Sequence, residues 1–168
     1  MGCAMIPSSE IFAVLAAACL IPSLYRGAVQ DLKEFKFAEI HFDTLWINAA
    51  IVLLVLMYVT LLIEGLWFVA VEFLVLSIVA SLIFSFIGLR FGGGGDWRAL
   101  CYIAVFAPFI LINVVVVSAL CGFVQAVYWL MRPDIDAPPL FRKIPFALSI
   151  LCGYLITLVW ATVTIISG

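Results

Sequence analysis

The chain has 168 residues, 67% of them hydrophobic and 11% charged, where soluble domains run at roughly 45–50% apolar and about 25% charged. Eight Lys+Arg, ten Asp+Glu and one His cannot cover a water-soluble domain of this size, and a mean hydropathy of +1.32 identifies lipid as the solvent. A soluble globular fold is excluded.

A helix that crosses about 30 Å of hydrocarbon takes about 20 mostly apolar residues. The first such stretch is expected over residues 8–30, with Pro22 as a kink and Arg26 near its end. The second, over 44–63, carries no charge, and the third, over 66–88, encloses Glu72. The uncharged run over 99–131 is too long for one span and is interrupted at Ala107-Pro108 and Asn113. It reads as a tight hairpin of helices at 97–109 and 111–131. A last helix is expected over 144–166. Continuous apolarity, without the alternation of barrel strands, argues for helices. The expectation is therefore an all-α membrane protein, a single membrane domain over 1–168 built as a bundle of six transmembrane helices. Residues 1–10 hold no Lys or Arg, unlike the basic start of a signal peptide, so the first helix is expected to stay in the mature protein.

Basic residues mark the cytoplasmic side of short-loop membrane proteins. Arg26, Lys33 and Lys36 fall between the first two expected helices, Arg90 and Arg98 between the third and fourth, and Arg132, Arg142 and Lys143 between the last two. All eight lie on one face, joined there by Asp31, Glu34, Glu39, Asp43, Asp96, Asp134 and Asp136. Glu10, Glu64 and Glu72 are the remaining charges, and both termini are expected to be extracytoplasmic. The pI of about 5.2 conceals this separation of charge.

Cys3, Cys19, Cys101, Cys121 and Cys152 show no CxxC spacing and read as small buried hydrophobes. Neither a disulfide framework nor a metal site is expected, and no cofactor is required. Asn48, Asn113 and Gln125 are positioned to join helices by hydrogen bonds. Glu72, two turns from the outer end of its helix, reads as a snorkelling or paired carboxylate.

Two places carry unusual chemistry. One is Phe91-Gly92-Gly93-Gly94-Gly95-Asp96-Trp97, where Gly92, Gly93, Gly94 and Gly95 leave the backbone without Cβ atoms and Asp96 falls at a helix start that favours its ionised form. Read alone, this is a flexible turn with a capping aspartate; no Lys-Ser or Lys-Thr follows, as a phosphate loop requires. The other is Asp31, at the cytosolic end of the first helix, which alone reads as an interfacial carboxylate beside Lys33 or Arg26. Taken together, the aspartates fall at one membrane depth on one face. Two facing carboxylates share a proton, leaving one base and one acid, as aspartic proteolysis requires. Nucleophilic alternatives are poorly supplied, since His41 is the single histidine.

Gly93-Gly94-Gly95-Asp96 resembles the GxGD motif of intramembrane aspartyl proteases. The wider arrangement resembles the type IV prepilin peptidases, and among them the archaeal prepilin and preflagellin peptidases. In these the first catalytic aspartate ends helix one in a segment similar to Ala28-Val29-Gln30-Asp31-Leu32-Lys33, and an Asp-x-x-Trp stretch similar to Asp43-Thr44-Leu45-Trp46 opens helix two. The final helix, opening with Lys143-Ile144-Pro145, is similar as well. The likeness covers most of the chain in order, with the two aspartate motifs as its specific part.

The resemblance implies a membrane aspartic endopeptidase with Asp31 and Asp96 as catalytic pair and the glycines as an active-site loop. Its partners would be prepilin or archaellin precursors with class III signal peptides, cut at the cytoplasmic membrane face; no nucleic acid is expected. Glu34, Glu39 and Asp43 lie on the face that would meet a basic leader, or form a solvated loop face. Three departures accompany the likeness. The connection from Asp31 to Trp46 is longer than the family's usual one, leaving His41 without a match. The loop over 132–143 is short, which tilts the reading toward a pilin-specific member. An N-terminal region with paired CxxC motifs is absent, so peptidase activity without N-methylation is expected. The rival from another class is a small transporter or channel subunit using Asp31, Glu72 and Asp96 along a cation path. It requires carboxylates spread over the membrane depth, and no inverted repeat accompanies them.

Overall fold

The computed structural model describes residues 8–34, 44–91, 94–131 and 146–167. Among them the chain is almost entirely helical, without strands. The helices are α1 (Ser8–Ala18), α2 (Ile21–Glu34), α3 (Thr44–Ile63), α4 (Trp67–Phe91), α5 (Gly94–Phe106), a 3₁₀ turn (Pro108–Ile110), α6 (Leu111–Met131) and α7 (Phe146–Ser167). Five stretches are long and apolar enough to cross a membrane, with α1 and α2 counted together over Ser9–Gln30.

The break between α1 and α2 follows from Pro22. Its ring has no N–H and collides with the carbonyl one turn back, so the α-helical ladder cannot continue through it. The chain tightens instead, with the Leu20 N–H donating to the Ala17 carbonyl at 3.0 Å. That same carbonyl accepts the hydroxyl of the fully buried Tyr154 of α7 at 2.6 Å. The kink expected at Pro22 is thus a full interruption, and α2 runs on through Asp31 to Glu34, four residues past the expected helix end.

Between α3 and α4 the turn is closed by Gly65 at φ 76°, a conformation glycine adopts without Cβ strain. The Leu66 N–H donates to Leu61 O at 2.8 Å and the Gly65 N–H to Leu62 O at 3.2 Å, the paired bonds of a Schellman cap. Three residues, Glu64 to Leu66, suffice to reverse the chain.

α5 differs most from expectation. Pro108 ends the helix early, so α5 covers Gly94–Phe106 where 97–109 was expected, and Ala107 leaves the helical region at φ −142°. Thirteen residues span about 20 Å, short of the roughly 30 Å of a hydrocarbon core. Among the described residues the chain therefore has five helical segments of membrane-crossing length and one shorter apolar helix, where six spans were expected.

α7 organises the packing. Its buried residues Ala147, Ile150, Leu151, Tyr154 and Leu158 recur every three or four positions, the period of one helix face. Against that face lie α6 and α2, with α1 and α5 also in contact; α1 packs on α3 and α4 on α5. The α6–α7 approach depends on Gly153, where a Cβ would lie 2.6 Å from the Ser118 backbone nitrogen. Close contact at small residues is how helices associate in lipid, where apolar side chains gain little by leaving the solvent. Ser149 adds a hydroxyl hydrogen bond to Gln125 across the same interface. By contrast α3 and α4 expose Val52, Leu62, Phe68, Leu82 and Phe86 among others, a surface suited to acyl chains.

Candidate active site

The two aspartates stand on helix ends that the core ties together. Asp31 is in the last turn of α2 and Asp96 is the third residue of α5. Ala28, three residues before Asp31, is 1% exposed, and Ala99, three residues after Asp96, is 0% exposed. Both alanines belong to one buried cluster, together with Leu24, Ile103 and the α7 residues Ala147 and Ile150. Positions three apart lie on the same side of a helix, so each aspartate continues, in backbone register, the stripe by which its helix joins the core. The carboxyl groups of Asp31, Glu34 and Asp96 lie outside the described residues.

Trp97 sets the start of α5. It is half-buried against the core cluster and stacks on Phe84 of α4, with ring centroids 6.4 Å apart and planes inclined by 23°. A Cβ on Gly88 would approach Trp97 Cβ at 3.0 Å, so the absence of a side chain at 88 lets the tryptophan settle against α4. The residue following Asp96 is therefore held by packing, as positional precision in a site requires.

The glycine run is not wholly a loop. Gly94 and Gly95 form the first two residues of α5 and Phe91 still belongs to α4, which corrects the expectation of a four-glycine connection. Helix starts tolerate glycine because the first N–H groups have no intrahelical partner, and the residues become the opening turn of a hairpin. Asp96 then occupies that turn, where the unpaired N–H groups and the helix dipole favour a carboxylate. Gly92, Gly93, Glu39, His41 and Asp43 lie outside the described residues, as does the loop over 132–145. Glu34 is the last helical position of α2.

The remaining polar residues sort by surroundings. Gln125 joins α6 to α7 through Ser149, as its position implied, while Asn48 and Asn113 are exposed. Glu72 is exposed on α4. Cys19, Cys101, Cys121 and Cys152 are free and half-buried, and the Cys101 thiol lies 3.6 Å from the Ser81 carbonyl. Tyr154 is the contributor that a linear reading misses. Its partner is 137 positions away, and only the proline-broken backbone of the first span gives the hydroxyl its acceptor.

Comparison with family models, with curated proteins and with solved structures returned no match.

Proposed function

We propose that the chain is a membrane aspartic endopeptidase that removes class III signal peptides from prepilin-like or archaellin precursors, with Asp31 and Asp96 as its catalytic pair. The observation that carries the reading is the placement of the GxGD-like Asp96 in the first turn of α5 while α2, bearing Asp31, is anchored in the same buried cluster. One carboxylate takes a proton from water as it attacks the scissile carbonyl; the other, protonated, donates to the developing oxyanion, and proton return to the amine completes the cleavage. A coupled pair titrates as a unit, so acid and base are roles of the dyad.

The basic residues of the connecting segments orient this end toward the cytoplasm. The first described residues of α1 and the last turns of α7 line one common cavity at the other end, which supports reading that end as the extracytoplasmic one. A Lys-rich leader would meet Glu34, Glu39 and Asp43 before its cleavage site enters the dyad.

The test is incubation of the purified, detergent-solubilised protein with a prepilin precursor, followed by sequencing of the new N-terminus. Cleavage just before the hydrophobic segment is expected. Asp31→Asn and Asp96→Asn are each expected to lower the rate by at least about 10², the scale of a lost acid–base group, with the fold retained. Residual cleavage near the parent rate in either variant overturns the assignment.

A further inference from the structure

At the end opposite the aspartates the short α5 leaves a space that the longer helices enclose. A cavity of about 460 Å³ opens there between the start of α1, the α3–α4 turn, the 3₁₀ turn and the last turns of α7. That size suits a small organic ligand, and ligand cavities are mostly apolar with a few placed polar groups. Here Phe73, Phe109 and Trp160 supply aromatic surface, and Glu10, Asn113 and Thr164 supply exposed polar groups. No Lys or Arg stands among the described residues that line it.

Side-chain charge at this end has one sign. Beside the cavity the Ser9 hydroxyl donates to Glu64 Oε2 at 2.9 Å, linking α1 to the α3–α4 turn and adding a second carboxylate to that of Glu10. Residues 1–10, 64–66 and 107–110 contain no basic side chain. An apolar cleft alone would accept any hydrocarbon. One edged by carboxylates and walled by aromatic rings favours a cation, through Coulomb attraction and through the negative faces of the rings. Anionic lipid headgroups are disfavoured by the same charges.

We infer that this cavity is a binding site for lipophilic cations, a quaternary ammonium or phosphonium with apolar substituents, with Glu10 as its counter-charge and Trp160, Phe73 and Phe109 as its walls. The site does not depend on Asp31 or Asp96, and its occupant reaches it from the opposite side of the bundle or from the lipid phase.

Titration of the purified full-length chain with tetraphenylphosphonium, read by calorimetry, tests this. Saturable binding is expected, with no comparable binding of tetraphenylborate, which has the same shape and the opposite charge. Glu10→Gln is expected to weaken binding about fivefold, the effect of one unit charge in a water-like setting, and Trp160→Ala to weaken it about threefold. Glu72→Gln, a carboxylate outside the cavity, and Asp31→Asn are expected to leave it unchanged, whatever their effect on peptide cleavage. Lack of saturable binding, equal affinity for the borate, or undiminished affinity in Glu10→Gln overturns the site.

Discussion

Two residues of α7 show how single atoms hold the bundle. Gly153 lets α6 approach so closely that a Cβ would meet Ser118 backbone at 2.6 Å, and backbone cannot swing aside as a flexible side chain can. Gly153→Ala is expected to destabilise the protein by about 1–3 kcal/mol, the cost of overpacking, seen as a lower midpoint when thiol-reactive dye reports thermal exposure of the half-buried cysteines. Tyr154 offers the contrasting case. Removing its hydroxyl while keeping the ring, Tyr154→Phe, takes one hydrogen bond from Ala17 O, which also accepts from Leu20. A loss of about 0.5–1.5 kcal/mol is expected in the same melt, smaller than for Gly153→Ala.

Among the elements, the α4–α5 hairpin carries the consequence for activity. Gly94 is helical, so alanine there meets no conformational barrier and reduces the freedom of the unfolded chain. Gly94→Ala is expected to keep cleavage within about twofold of the parent, whereas a four-glycine hinge would predict a large loss. Gly88→Val acts at the same hairpin in the opposite sense. Its Cβ falls 3.0 Å from Trp97 Cβ, which displaces the start of α5 and with it the position of Asp96. A fall in kcat larger than any rise in KM is expected, since on the proposed function the change would disturb the dyad and not the leader contacts.

At the scale of the molecule the separation of charge along the sequence governs the proposed topology. A C-terminal alkaline phosphatase fusion is expected to be active and a C-terminal fluorescent-protein fusion dark, as the proposed extracytoplasmic placement of α7's end requires; the reverse pattern overturns that topology. Reversal of Glu34, Glu39 and Asp43 to lysine is expected to raise KM for a Lys-rich leader several-fold with little change in kcat, because these charges would act in encounter and not in chemistry. Unchanged kinetics would remove their assigned role.

Much of the architecture was legible from residues read in order. Hydropathy adds along the chain, so the long apolar segments, their approximate limits and the interruption at Pro108 follow from local composition. The glycine–aspartate run was visible for the same reason, being contiguous. Where that reading erred, a backbone competition decided: Gly94 and Gly95 joined α5 because a helix start tolerates glycine, and α2 continued to Glu34 because nothing before it forbade helix. What only the tertiary structure decided depends on residues far apart in sequence. Tyr154 bonding to Ala17, Gly153 admitting Ser118, and Glu10, Phe109 and Trp160 around one cavity have no local signature, because packing selects partners by shape and distance after the helices have formed.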